Sequence, residues 1–168
     1  MLQIYTGNGK GKTSAALGVA LRAAGAGMKV LFIQFMKNTP TSELETLKAL
    51  ENKITVKQFG SGAFVINTPT EKDFHFAGLA FAEIENAAAA QSFDVIIADE
   101  LCTAEHYKLI DTGKVLSLIK NCPQSIELIF TGRYARNELI DAADVVTEMR
   151  EIKHCYNNNI PARKGIEY

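Results

Sequence analysis

The segment from 6 to 13, which reads TGNGKGKT, has the residue types and spacing of a phosphate-binding loop. Glycines at 7, 9 and 11 let the backbone turn its N–H groups inward, where phosphate oxygens can accept from them. Lys12 adds a cation, and the Thr13 hydroxyl can ligate Mg²⁺. The common pattern places a glycine four free positions before Gly-Lys-Ser/Thr, so Thr6 stands where that glycine belongs. Ser14 adds a hydroxyl, for phosphate contact or for capping the helix.

Two apolar stretches end in residues that suit the same chemistry. DVIIADE ends in Asp99 and Glu100. In an ATPase the second acid positions a water, whereas in a transferase it need only hold Mg²⁺ and its waters, and acids at strand ends also cap helices. IELIFTGRYA carries Arg133, which either pairs with a phosphate oxygen or lies on the surface as an ordinary arginine.

These segments require elements that bring them together. Branched apolar runs alternate with stretches of helical period: LQIYT, 13–26, KVLFIQF, 42–52, ITVKQF, 71–91, DVIIAD, 103–121, IELIFT, 135–143 and DVVTEM. Runs that are apolar on both faces favour a parallel sheet with helices on each side. The sequence therefore predicts a single three-layer α/β domain over 1–168, with Leu17, Ala20, Leu21 and Ala24 as the buried stripe of the first helix.

The overall composition restricts the class of partner. The chain has 168 residues, is 47% hydrophobic and 22% charged, and carries a formal net charge of -1. That charge gives no general attraction for nucleic acid or anionic membrane, so we expect neither as a partner. Three cysteines without metal or disulfide spacing, and no apolar leader or membrane-spanning run, predict a cytoplasmic protein.

Two segments interrupt the alternation of strands and helices. The stretch 58–70, QFGSGAFVINTPT, predicts a loop that is either functional or a plain surface excursion. The tail 152–168 holds Lys153, His154, Arg163 and Lys164. It is either a frayed end or a segment that folds back over a bound anion.

Five segments together resemble the P-loop type of ATP:corrinoid adenosyltransferase of the cobalamin pathway: YTGNGKGKT, VLFIQFMK, VIIADE, TGRYARNELIDAADVVTEM and KH…GIEY. They occur in the family's order over nearly the whole chain, and the closing REIKHCYNNNIPARKGIEY is especially diagnostic. The resemblance implies a P-loop NTPase fold of the RecA-like type with a mainly parallel central sheet.

The resemblance also implies a reaction in which a cob(I) corrinoid attacks C5′ of ATP and tripolyphosphate leaves. The nucleophile belongs to the corrinoid, so the protein needs no catalytic base and works by positioning and charge stabilisation. The resemblance implies that ATP binds in reversed polarity along the loop, and the family shares the replacement at Thr6. Mg²⁺, an electron-donating flavoprotein reductase and a homodimer are implied as well.

The site residues carried over by position fall into three groups. Those that hold the triphosphate are Gly7, Asn8, Gly9, Lys10, Gly11, Lys12, Thr13 and Ser14. Lys12 and Arg133 take the catalytic role of stabilising phosphate charge, and Thr13 and Glu100 serve Mg²⁺.

The sequence departs from the family pattern in two places. Better-known members have a helix before the first strand that helps to cover the site, whereas this sequence begins at that strand, so we expect the cover to come from elsewhere or to be looser. They also carry a Gly-Phe-Thr-Trp segment whose aromatics help to strip the lower axial ligand from cobalt. Here 62–65 read GAFV. Phe59 or Phe64 could supply the apolar wedge, and core packing is the alternative.

Two other functions stay open on the sequence alone. A P-loop ATPase or small-molecule kinase would use the same loop and release ADP. A nucleotide- or corrinoid-binding module would bind without turnover.

Overall fold

The computed structural model describes residues 1–62, 68–158 and 160–167. The strands are β1 (Leu2–Thr6), β2 (Val30–Phe35), β3 (Ile54–Phe59), β4 (Val95–Asp99), β5 (Glu127–Thr131) and β6 (Val145–Glu148). The helices are α1 (Lys12–Gly25), α2 (Ser42–Lys48), α3 (Glu71–Ala90), α4 (Leu101–His106), α5 (Thr112–Asn121) and α6 (Asn137–Ala142). A turn of 3₁₀ helix follows at Cys155–Asn158.

The strands form one sheet in the order β3-β2-β4-β5-β1-β6, and every pairing is parallel. Helices α1 and α2 cover one face, and α3 to α6 cover the other. The predicted three-layer α/β architecture is therefore confirmed. Because all strands run the same way, the loop after β1 and the acids at the end of β4 meet at one carboxyl edge, with β5 between them.

The apolar composition of the central strands suits their position in the middle of the sheet. All six residues of β2 and all five of β4 are buried, as expected for strands with helices on both faces. By contrast, the four residues of the edge strand β6 are all exposed.

Helix α1 packs on the sheet through a stripe that differs from the predicted one. Its buried apolar side chains are Ala16, Ala20 and Ala23, whereas Leu21 is exposed. The choice of Leu21 was wrong because a hydrophobicity pattern favours the larger side chain. Three alanines in register let the helix backbone lie close to the sheet.

The helical region predicted over 103–121 consists of two helices, α4 and α5. Helix α4 ends at His106, and Lys108 adopts a left-handed φ of 59°. The Asp111 side chain then accepts from the Lys114 N–H and caps α5. A left-handed residue followed by an N-cap restarts a helix in a new direction, and apolar periodicity does not reveal that break.

Along the described residues, no helix combines the length and the apolar character that a membrane crossing requires.

Candidate functional site

The loop between β1 and α1 is shaped by its glycines and by the segment that follows β6. Gly7 and Gly11 have φ values of 98° and 116°, which disfavour any side chain. Gly9 donates its N–H to the Met149 carbonyl at 2.6 Å, and a Cβ at Gly7 would lie 2.5 Å from the same oxygen. Helix α1 begins after Gly11 without a side-chain cap, so its first N–H groups stay available to an anion.

The departure at Thr6 has a structural explanation. Thr6 is the last residue of β1, and the first left-handed residue of the loop is Gly7. The Thr6 position therefore does not require glycine. Its buried side chain accepts from the Ala135 N–H at 3.4 Å, and its carbonyl accepts from the Met149 N–H at 2.8 Å. Thr6 thus ties the base of the loop to two neighbouring segments.

The Lys12 ammonium lies within the loop itself. Its Nζ donates to the carbonyls of Gly7 and Gly9, both at 2.8 Å, and the residue is only 7% exposed. Burial lowers the pKa of Lys12, and although Glu100 opposes that shift, the net direction is downward. A buried ammonium on neutral carbonyls is an arrangement that a bound anion would stabilise.

Asp99, at the end of β4, is the centre of a buried polar network. It is fully buried and accepts four hydrogen bonds. Its Oδ1 accepts from the hydroxyls of Thr13 at 2.8 Å and Thr131 at 2.7 Å. Its Oδ2 accepts from Gln34 at 3.2 Å and from Lys37 Nζ at 3.0 Å. The network joins β2, β4, β5 and the start of α1 through one carboxylate.

Glu100 faces the cavity beside this network. Its backbone is left-handed, with φ of 65°, and its N–H donates to Thr131 Oγ1 at 3.0 Å. Its Oε2 accepts from Thr103 Oγ1 at 2.6 Å, and the same hydroxyl accepts from the Arg133 N–H at 2.8 Å. Arg133 itself is exposed in the loop after β5. The predicted residues Thr13 and Glu100 are therefore brought together, and Arg133 lies on a neighbouring loop.

A cavity of about 660 Å³ opens at this edge of the sheet. Predicted residues on its wall are Lys10, Gly11, Lys12, Thr13, Ser14 and Glu100. Residues without a predicted role are Met36, Lys37, Asn38, Thr39, Thr41, Ser42, Glu43 and Thr46, which belong to the β2–α2 segment. The signal that could have found them is the polar run KNTPTSE after an apolar strand. The volume lies in the range of small-molecule sites.

The C-terminal tail reaches this cavity. Glu167 accepts from Lys10 Nζ at 2.8 Å and from the Arg163 guanidinium at 3.0 and 3.2 Å, and Gly165 to Glu167 line the cavity. Hydrogen bonds from Arg163 and then from Lys10 lower the pKa of Glu167 to about 2. The tail thus folds back over the phosphate loop, with a carboxylate of its own against Lys10.

The two phenylalanines predicted as an apolar wedge have different outcomes. Phe59 is partly buried and packs against the core on the face covered by α3. Phe64 lies outside the described residues. A wedge role for either side chain stays a prediction.

Comparison with known proteins relates the whole chain to one family. The model of the family described as ATP:corrinoid adenosyltransferase BtuR/CobO/CobP matches residues 1–168. A corrinoid adenosyltransferase of Pseudomonas aeruginosa is 32% identical over 100% of this chain and 83% of its own length. The corrinoid adenosyltransferases of Escherichia coli K12 and Salmonella typhimurium are each 33% identical over 98% of this chain and 84% of theirs.

Proposed function

This chain belongs to the ATP:corrinoid adenosyltransferase family, a family of transferases, and we propose that it transfers the 5′-deoxyadenosyl group of ATP to a cob(I) corrinoid. Cobalt(I) supplies the electron pair for the new cobalt–carbon bond, and the C5′–O bond breaks. The electrons of that bond leave with tripolyphosphate. The reaction would serve adenosylcobalamin biosynthesis or salvage in the cytoplasm.

The observation that carries this proposal is the Lys12 ammonium on the cavity wall. It is buried, and its acceptors are the neutral carbonyls of Gly7 and Gly9 at 2.8 Å. A site with fixed positive charge and oriented N–H groups stabilises charge that develops on a leaving triphosphate. No proton has to move in the transfer, so the site needs cations and N–H donors more than it needs a base.

Several residues would bind the triphosphate and stabilise its charge. Gly7 to Ser14 would hold the triphosphate, with Lys12 on the charge that develops as C5′–O breaks. Arg133 would reach a phosphate oxygen from the neighbouring loop, where its backbone is anchored on Thr103.

Mg²⁺ is part of the proposal, and the residues present fit it. Mg²⁺ is usually bound by one or two protein oxygens together with substrate phosphates. The Thr13 hydroxyl donates its proton to Asp99, which leaves its lone pairs for a cation, and Glu100 presents a carboxylate to the same cavity. Thr13 and Glu100 would hold Mg²⁺ beside the phosphates, where its charge would stabilise the leaving group.

The corrinoid would lie beyond the nucleotide, toward the segment that follows β3. Phe59 or Phe64 would act as an apolar wedge against the lower axial ligand of cobalt. A flavoprotein reductase would deliver the electron to Co(II), and the enzyme would act as a homodimer. Phe64→Ala should therefore reduce adenosylation of a Co(II) corrinoid in the presence of reductase, and an unchanged rate would remove the wedge from the proposal.

The decisive experiment combines the protein with Mg-ATP and chemically reduced cob(I)alamin in the dark. We expect a light-sensitive alkylcobalamin spectrum and one tripolyphosphate for each cobalt alkylated. ADP release without alkylation would identify an ATPase or kinase. Binding of ATP or corrinoid without either product would identify a module without turnover. Lys48→Met, on the exposed face of α2, provides a variant that should retain full activity.

A further inference from the structure

Lys37 lies at the junction of the buried network and the cavity. Its Nζ is 3.0 Å from Asp99 Oδ2, its side chain is 29% exposed, and it lines the same cavity as Lys12 and Glu100. It belongs to the turn between β2 and α2, which is a different wall from the phosphate loop. Lys37 therefore brings a further ammonium to the cavity, beside those of Lys10 and Lys12, and from a second element.

The backbone that carries Lys37 is held in place from two directions. Met36, directly before it, adopts a left-handed φ of 56°, which is costly for a residue with a side chain. Gly60 packs so closely that a Cβ there would lie 2.6 Å from the Lys37 backbone nitrogen. A strained residue and a close glycine contact are maintained only where the surrounding structure fixes them. The fold thus fixes the backbone position of Lys37.

Lys37 keeps its charge in this position. Burial works against the ammonium, but the charge and hydrogen bond of Asp99, together with Glu100 and Glu43, raise the pKa of Lys37. An ammonium has three N–H donors, and the bond to Asp99 uses one. Among the residues that the structure describes, no other acceptor bonds to Lys37 Nζ, which leaves two donors for an anion in the cavity.

We propose that Lys37 binds oxygens of the triphosphate chain, so that the leaving group is held between cations on two walls. The ligand class is a nucleoside triphosphate or inorganic tripolyphosphate. Asp99 links the two walls, because Thr13 and Lys37 donate to opposite oxygens of its carboxylate. The inference rests on the proposed function in that it takes the triphosphate as the part of the substrate held beside the loop.

The rival explanation is that Lys37 only neutralises Asp99. Asp99 has three further donors in Thr13, Thr131 and Gln34. In that case the loss of Lys37 would lower stability and would weaken all ligands alike. The two roles are distinguished by whether the loss of affinity depends on the phosphates of the ligand.

The experiment titrates Lys37→Met, Lys37→Arg and the control Lys48→Met by calorimetry with tripolyphosphate, ATP and adenosine, each with Mg²⁺. We expect Lys37→Met to bind tripolyphosphate and ATP about tenfold or more weakly, the size of one lost hydrogen bond to a charged group, while adenosine changes less than about twofold. Lys37→Arg should recover most of the affinity, and Lys48→Met should match the wild type. If Lys37→Met does not fold, Lys37→Gln, which keeps an N–H donor for Asp99, takes its place with the same expected loss.

Unchanged tripolyphosphate affinity in Lys37→Met or Lys37→Gln, or equal losses for adenosine and tripolyphosphate, would overturn the inference. Absence of tripolyphosphate binding by the wild type would overturn it too. Lys37-dependent tripolyphosphate binding without alkylcobalamin formation would overturn the proposed transfer while supporting the role of Lys37.

Discussion

The cavity has two walls that are built by different means. The phosphate loop is formed by backbone: left-handed glycines turn its N–H groups, and Lys12 donates to carbonyls of the loop itself. The β2–α2 turn is formed by side chains, and its Lys37 already pairs with the Asp99 carboxylate. The Lys12 ammonium of the first wall therefore donates to neutral groups, whereas the Lys37 ammonium of the second wall donates to a carboxylate.

The difference between the walls shows how surroundings shift the pKa values of two lysines in opposite directions. Burial lowers the pKa of Lys12, whose hydrogen-bond acceptors are neutral, and Glu100 opposes that effect without reversing it. The pKa of Lys37 is raised because Asp99, Glu100 and Glu43 together outweigh the effect of burial. An incoming triphosphate would gain most from Lys12 and must share Lys37 with a carboxylate.

The largest expected effect is on the loop wall. Lys12→Met should weaken ATP and tripolyphosphate binding by about a hundredfold, more than Lys37→Met, because Lys12 donates to neutral carbonyls whereas Lys37 donates to a carboxylate. Calorimetric titration of both variants beside Lys48→Met measures the difference. An equal or larger loss at Lys37 would contradict the comparison of the two walls.

Glycine substitutions compare the backbones of the walls. A Cβ at Gly9 would lie 2.6 Å from the Met149 carbonyl oxygen, and one at Gly60 would lie 2.6 Å from the Lys37 nitrogen. Gly9→Ala and Gly60→Ala should each lower the free energy of unfolding by about 1–3 kcal/mol, measured by urea denaturation. The control is Gly18→Ala, at an open position of α1, which should raise it by about 0.5–1 kcal/mol. A neutral Gly60→Ala would show that only the loop wall is tightly packed.

The next largest effect is expected in the hydrogen-bond network around Asp99, which both walls share. Thr131→Val removes a donor to Asp99 and the acceptor of the Glu100 N–H. We expect a loss of about 1–2 kcal/mol in the free energy of unfolding and weaker ATP binding, since Asp99 orients residues of both walls. Circular dichroism with urea and the same titrations measure these changes. Wild-type ATP affinity in a destabilised variant would show that the network serves stability alone.

The smallest effect is expected at the tail. Glu167→Gln removes a carboxylate from the cavity wall and frees Lys10, so ATP affinity should rise about two- to threefold at low salt and return to the wild-type value at high salt. The pKa of Glu167 is lowered to about 2, so its ion pairs are complete above its ordinary value of 4.5 and are lost as pH falls toward 2. The effect of the substitution should therefore be the same at pH 6 and pH 8. A decrease in ATP affinity would show that the tail supports binding rather than competing with it.

Local sequence patterns were enough to predict the α/β fold and the phosphate loop, which forms one wall of the cavity. Glycine spacing next to a strand and a helix identifies the loop, because its function depends on neighbours within eight residues. The role of Lys37 depends on Asp99, 62 positions away, and no local pattern expresses that pairing. The close packing of Gly9 on Met149 is hidden for the same reason. Side-chain size misled the assignment of Leu21 to the buried face of α1, where small residues pack.

The position of β1 beside β6 affects when the phosphate loop can form during synthesis. β1 carries the loop, yet Gln3 pairs with Val145, and Gly9 bonds to Met149, late in the chain. At translation rates of about 5–20 residues per second, the ribosome needs roughly seven to thirty seconds to make the intervening segment. During that time the Gly9 N–H lacks its acceptor on Met149. Nucleotide binding by a nascent chain would therefore report that synthesis has passed Met149.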